Sequence, residues 1–350
     1  MSERLDADDP CPVRDGFTWP AEWAPHARTW MCWPCRTEAW GGPDAILRAK
    51  QAFARVARAI STFEPVAMAV RPHDAAEARL ACAGKVEIFE VPLDDSWARD
   101  MGPTFLRGPA GARAAVQWRF NAWGNKYHPY AEDAQLATRI AKSVDARVYR
   151  TELVCEGGAI HTDGEGTLIT TEQCLLNENR NANLTQQEVE EHLALNTGAR
   201  RVLWLGDGFS DDETDGHIDN IACFVAPGRV LVGQPSQRSH PDFEPVAEAV
   251  RRLRAARDAE GRAFEVIEIE QPRGTRPDAR GRLLQSSYVN FYLPNGGVVM
   301  PSFDDPNDEK ARAVIASCFP GRDILQIDAL DIVEGGGGIH CITQQEPASP

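Results

Sequence analysis

Apolar positions along this chain follow two alternating rhythms. The first is helical: residues 45–60, 132–143, 185–195, 243–257 and 308–318 each place apolar side chains at the three- and four-residue spacing of a single helix face. Thr185 is a candidate N-cap, Glu188 three residues on would complete a capping box, and Gly198 would close that helix. The second rhythm is a short apolar run, a Gly-rich turn and another apolar run. It predicts hairpins, because Asn-Gly, Asp-Gly and Pro-Gly permit the dihedrals that reverse a strand.

The hairpin unit recurs five times, each headed by a polar reactive residue: Asp94 to Phe105, Glu156 to Thr170, His217 to Val232, Tyr288 to Met300, and the run from Gly336 to Cys341. Taking Asp95, Glu156, His217, Tyr288 and Cys341 as markers, successive units are 61, 61, 71 and 53 residues apart. Such a period predicts repetition around an axis, a ring of mixed α/β modules. A chain of 350 residues exceeds what one hydrophobic core usually serves, so the choice lies between such an array and two domains.

Composition adds exclusions. With 43% hydrophobic and 25% charged residues the chain reads as globular. A formal charge of −15 argues against a nucleic-acid partner and leans toward a cationic ligand, although an acidic surface also serves solubility alone. The N-terminal stretch lacks the apolar core of a signal peptide and no run approaches a membrane span, so a cytoplasmic protein with no membrane partner is expected. Nine cysteines, odd in number and without framework spacing, predict buried thiols rather than disulfides. Cys32 and Cys35 resemble half a zinc site, but no second such pair exists, which favours packing.

The candidate chemistry sits at the unit heads: Asp95, Glu156, the pair His217 and Asp219, and Cys341. On a strand His217 and Asp219 would point to the same face. A cysteine with a histidine suggests nucleophilic catalysis, yet three acids would repel an anionic intermediate unless the substrate brought positive charge. A guanidinium does so: it is planar, permanently cationic, matches carboxylates bidentately, and offers Cys341 an electrophilic carbon. His340, beside the nucleophile, would point to the opposite face of an extended strand, which leaves His217 as its partner.

Several motifs now coincide: Trp30-Met31-Cys32-Trp33-Pro34, Asp95-x-Trp97-x-Arg99-Asp100-x-Gly102-Pro103-Thr104, Glu156-Gly157-Gly158, Gly216-His217-Ile218-Asp219-Asn220, Ser287-Tyr288-Val289-Asn290-Phe291-Tyr292 and the final Gly-rich His-Cys-Ile-Thr-Gln-Gln run. In order over about residues 17–347, they closely resemble the agmatine deiminases, members of the guanidine-modifying superfamily and the peptidyl-arginine deiminase-like family. The resemblance implies the five-bladed pseudo-symmetric α/β propeller, or pentein fold, as one catalytic domain over residues 1–350 with short flexible termini at about 1–14 and 346–350. It implies hydrolysis of agmatine to N-carbamoylputrescine and ammonia, in putrescine biosynthesis, without metal or organic cofactor. A homo-oligomer is expected.

By motif position the resemblance makes Cys341 the nucleophile, His217 the general acid and base, Glu156 the acid paired with His217, and Asp95 and Asp219 the guanidinium clamps. Trp97 and Trp33 are candidates to wall the aliphatic stem, and the run Asp211-Asp212-Glu213-x-Asp215 to meet the distal amine, with core packing and a solvated loop as their plain alternatives. One departure stands out: Gly338 occupies a position where the family commonly has Asn. The competing functions are deimination of arginine, methylated arginine or peptidyl-arginine, a non-catalytic propeller that binds a cationic ligand, and a thiol amidase.

Overall fold

In the computed structural model, which describes residues 10–273 and 284–349, the strands form five separate sheets. Three are built alike. Thr104–Arg107 pairs antiparallel with Arg113–Arg119, which pairs parallel with Arg147–Val154. His161–Thr162, Thr167–Thr170 and Arg201–Trp204 repeat the scheme, as do Ala222–Ala226, Arg229–Gln234 and Glu265–Glu270. A parallel neighbour cannot be reached by a tight turn, so each parallel pair needs a crossover, and the helices lie in those crossovers. They are Pro43–Ile60, Leu136–Ser143, Gln186–Thr197, Phe243–Ala255 and Asp308–Cys318, close to the spans expected from apolar spacing.

The remaining two sheets vary the plan. Gly297–Ser302 runs parallel to Asp323–Asp328, with a single antiparallel bridge from Tyr292 to Val299 in place of a full hairpin strand. The other sheet joins the two ends of the chain. Its last strand, Thr343–Pro347, pairs antiparallel with the first, His26–Cys32, which is parallel to Val66–Val70, itself parallel to Glu87–Glu90. The result is a mixed α/β fold whose first and last strands share hydrogen bonds.

Charged and polar side chains fasten these sheets from inside. Glu64 accepts from Thr29 Oγ1 at 2.5 Å, from the Asn295 amide at 2.6 Å and from Tyr292 Oη at 3.2 Å. Trp30 Nε1 donates to Glu346 at 2.9 Å, and Arg113 pairs with the same carboxylate. The long helix Pro43–Ile60 presents Ala49, Ala52, Phe53, Val56 and Ile60 to the core, where all are buried.

Several expectations need correction. His217 precedes a tight turn over Ile218–Asn220 and is not on a strand, because the strand of this unit begins only at Ala222. Residues 339–342 likewise form a turn, and the strand starts at Thr343. Near the ends expected to be flexible, Cys11 is buried, and Glu346 and Pro347 lie in the closing sheet, while 1–9 and 350 fall outside the description. All nine cysteines are free and buried, Cys32 and Cys35 among them. No helix among the described residues is long and apolar enough to cross a membrane.

The capping box is present: Thr185 Oγ1 accepts from the Glu188 amide at 3.3 Å, Glu188 accepts from the Thr185 amide at 2.7 Å, and Gly198 closes the helix. Thr185→Ala should therefore lower stability by about 1 kcal/mol, read as a drop in denaturant midpoint with an unchanged slope.

Candidate active site

Cys341 sits in the turn just before the last strand, fixed by backbone bonds on both sides of the thiol. The Arg99 amide donates to the Cys341 carbonyl at 3.1 Å, and the Asn290 side-chain oxygen accepts from the His340 amide at 2.9 Å. The other end of that amide, Asn290 Nδ2, lies 3.2 Å from the thiol sulfur, and Asp219 Oδ2 is 3.5 Å from it. A Cβ on Gly338 would fall 2.4 Å from Asn290 Oδ1. With Asn290 in this place, a side chain at position 338 would collide with its amide oxygen.

Beside the thiol opens a narrow pocket. Asp95, Trp97, Asp100, Trp123, Glu213 and Cys341 line it, together with the backbone of Gly335 to Gly337. Trp97 stacks on Trp40 with ring centroids 5.7 Å apart, which fixes the wall it presents. Trp33 belongs to the core instead and does not line the pocket. Of the acidic run before His217, Asp212 caps its own turn by accepting from the Thr214 amide at 2.9 Å, and Asp215 pairs with Lys126 and Arg180. Only Glu213 faces the pocket, held by Tyr127 Oη at 2.8 Å.

His217 is fully buried between two acids. Its Nε2 is 3.4 Å from Glu156 Oε2, and its Nδ1 is 3.8 Å from Asp100 Oδ1 without a hydrogen-bond partner. Arg180 Nε holds the other Glu156 oxygen at 2.7 Å. Burial would raise Glu156 and lower His217, but charge reverses both trends: Arg180 and His217 pull the carboxylate below its usual range, while Asp100, Cys174 and Glu156 lift the imidazole well above its own. Both directions favour an ionised carboxylate paired with a protonated imidazole. Glu156, Cys174 and His217 bring donor atoms within 4.8 Å of one another, near enough to surround a metal ion. However, the proton on Nε2 and the Arg180 cation already neutralise this carboxylate, so a hydrogen-bonded cluster accounts for the group.

Two aspartates expected as equivalent clamps have different surroundings. Asp95 has both oxygens engaged, Oδ2 with Arg36 Nε at 2.8 Å and Oδ1 with the Ser96 amide at 2.9 Å. Asp219 gives Oδ2 to His340 Nδ1 at 2.8 Å and leaves Oδ1 buried without a partner. Asp100, five residues after Asp95, receives only neutral donors, the Gly158 amide at 3.0 Å and Trp123 Nε1 at 2.9 Å. Burial raises Asp95 and Asp100 to about 6 each, against the pull of Arg36 on the first and His217 on the second. A Cβ at Gly158 would meet His217 Nδ1 at 2.6 Å and both Asp100 and Asp219 at 2.9 Å, so glycine is what lets the three converge.

The structure therefore brings Cys341, His217, Glu156 and Asp219 together, with Asp95 and Trp97 on the pocket wall. His217 and Asp219 converge through a turn rather than along a strand. The reading from sequence passed over Asp100, Asn290, Arg180 and Cys174. Asp100 and Asn290 lay inside motifs already singled out, and their type and place were a usable signal; Arg180 and Cys174 carried none.

Comparison with known proteins agrees with this geometry. The sequence profile described as Porphyromonas-type peptidyl-arginine deiminase matches residues 18–347. An agmatine deiminase from Ectopseudomonas mendocina is 43% identical over 366 residues, covering 96% of this chain and 97% of its own. One from Pseudomonas aeruginosa is 43% identical over 362 residues, with the same coverage. A solved agmatine deiminase of Enterococcus faecalis superposes with a TM-score of 0.93 at 35% identity, covering 99% of this chain and all of the other.

Burial, then Asp219 and Asp100, push the Cys341 thiol well above its ordinary value, although Asn290 works in the opposite direction. The free protein should hold the thiol protonated. Alkylation of Cys341 by iodoacetamide, followed by peptide mass spectrometry, should accelerate about tenfold per pH unit with no plateau near the ordinary thiol value of about 8.5. A plateau at neutral pH would mean a standing thiolate.

Proposed function

The chain belongs to the Porphyromonas-type peptidyl-arginine deiminase family, and from that premise we propose that it hydrolyses agmatine to N-carbamoylputrescine and ammonia, a step toward putrescine. The observation that carries the choice of substrate is the pocket wall. It offers Asp95, Asp100 and Glu213 and, among the described residues that line it, no Arg or Lys to meet the carboxylate of a free amino acid. Agmatine is a dication with a guanidinium at one end and an ammonium at the other. Glu213 meets the ammonium, and Trp97 and Trp123 flank the methylene stem.

The guanidinium is clamped by Asp100 and by the unpartnered Oδ1 of Asp219, which moves one clamp from Asp95 to Asp100. Its arrival supplies the positive charge that the thiol lacks, so in the complex Cys341 gives up its proton to solvent, His217 being already protonated, and the thiolate is the nucleophile. The sulfur bonds to the guanidinium carbon. The tetrahedral intermediate collapses as His217, whose Nδ1 proton is uncommitted, protonates the departing nitrogen, and ammonia leaves an S-alkylthiouronium on Cys341. Water then adds to that carbon with His217 accepting its proton, the carbon–sulfur bond breaks, and the urea product departs. Glu156, anchored by Arg180, keeps the imidazole oriented through both proton transfers. The five sheets, three of them built alike and one holding both the first and last strands, support a five-bladed propeller closed around this pocket as one catalytic unit.

Ammonia release from agmatine, arginine and a blocked arginine peptide, measured side by side, tests the reading. Agmatine should be the best substrate, His217→Ala should lower kcat by about 100- to 10,000-fold, and Cys341→Ser should form no covalent adduct. Faster turnover of arginine or of the peptide would refute the assignment of Glu213. A protonated carboxyl cannot clamp a cation, so kcat/KM for agmatine should fall as pH drops through about 6, where Asp100 gains its proton.

A further inference from the structure

His340 is the neighbour of the nucleophile, yet it turns away from the substrate pocket. Its ring lines a second, small cavity together with Glu22, His161, Asp219, Cys223 and apolar side chains. There it is bonded at both nitrogens: Nε2 is 2.7 Å from Glu22 Oε1, and Nδ1 is 2.8 Å from Asp219 Oδ2. All three side chains are at least 95% buried. Ionised carboxylates only accept hydrogen bonds, so both ring nitrogens must donate and the ring must be an imidazolium.

We infer that His340 is a positioning residue for deimination: a fixed buried cation that keeps Asp219 ionised, with one oxygen tied back so that the other is presented to the substrate guanidinium. The inference rests on the clamp role given to Asp219 above. The sequence neighbour of the nucleophile then acts through the acid, and the distance between thiol and imidazole along the chain is irrelevant to its function.

Every charged or titratable group packed against the ring bears on this. Glu22 comes from the segment before the first strand, Asp219 from the turn after His217, Arg99 from the short helix Ala98–Met101, and His161 from the strand His161–Thr162, its ring centroid 6.3 Å away. Arg99 Nη1 is 3.2 Å from Glu22 Oε1, so Glu22 is shared between two cations. Burial and Arg99 both work against a charged His340, but Glu22 and Asp219 outweigh them and raise it. For Asp219 the largest effect, burial, raises it, and His340 leads the groups that bring it below its ordinary value. Remove the imidazolium, and burial is left to protonate the clamp. Asp219 Oδ2 also lies 3.5 Å from the sulfur, so the same cation offsets an anion that would otherwise oppose thiolate formation.

The test uses His340→Gln, which retains a hydrogen-bonding side chain but no charge. The KM for agmatine should rise roughly tenfold for each pH unit by which the clamp's pKa exceeds the assay pH, with a smaller change in kcat, and the acid limb of kcat/KM should move to higher pH. Calorimetric binding of agmatine to Cys341→Ser, with and without His340→Gln, should show the same loss without any turnover. Glu22→Gln leaves the imidazolium against Asp219 and should raise KM less. A His340→Gln protein with wild-type KM and an unmoved acid limb overturns the inference, even if it melts earlier, as does a Glu22→Gln protein impaired to the same degree. If His340→Gln does not fold, ¹⁵N NMR of the histidine side chains in the wild-type protein decides: a ring protonated at both nitrogens through neutral pH supports the inference, and a neutral tautomer there overturns it. Failure of wild-type protein to turn over agmatine would instead refute the substrate assignment and leave the NMR outcome standing.

Discussion

Buried carboxylates around a buried thiol impose the constraint on which this structure depends. Each acid must be matched by a cation inside the protein, because an unpaired buried charge is far more costly than the pair is favourable. Asp95 has Arg36, Glu156 has Arg180, Glu22 has Arg99 and His340, Asp219 has His340, and Asp100 faces His217. Partners in these pairs come from different stretches of the chain. Electrostatic matching at the centre thus demands the long-range arrangement that the sheets provide at the periphery, and removing one member of a fully buried pair typically costs about 3–5 kcal/mol.

The matching is deliberate in what it leaves open. Cys341 has Asn290 but no cation, Asp219 keeps one oxygen unpartnered, and Asp100 receives neutral donors while sharing His217 with Glu156. These unmet needs share a sign. A planar cation placed between the aspartates meets all of them at once, and it also makes the thiolate accessible. In the proposed mechanism substrate charge is then part of the catalytic apparatus, and neutral amides, the substrates of a thiol amidase, bring none.

Much of this was legible from sequence where the signal is local. Helix spans follow from apolar spacing, and the Thr185 capping box depends on residues three apart. The repeat period marked the unit heads Glu156, His217 and Cys341 without knowledge of their contacts. Tertiary decisions were not legible. Asp95 and Asp100 share one motif, and only the arrival of Arg36 beside Asp95 leaves Asp100 to face the pocket with His217. His217 and Asp219 have strand-like spacing, but a tight turn also brings both to Gly158. The alternation rule applied to His340 gave the correct direction, away from the thiol, on a backbone that is a turn. It was silent on Asp219, which reaches around to meet the ring.

The placement of Cys341 follows from the same architecture. Two residues after Cys341 the chain enters the strand Thr343–Pro347, which is paired along its length with His26–Cys32. Gln344 on that strand accepts from Arg99 Nη1 at 2.6 Å, and Arg99 donates its backbone amide to the Cys341 carbonyl. Glu346, two residues further, is buried against Arg113 and Trp30. The pairing of the first and last strands therefore also fixes the sulfur beside Asp219, 3.5 Å away. A thiol on a free tail would sample many positions, whereas one seated just before the last strand is placed by folding itself.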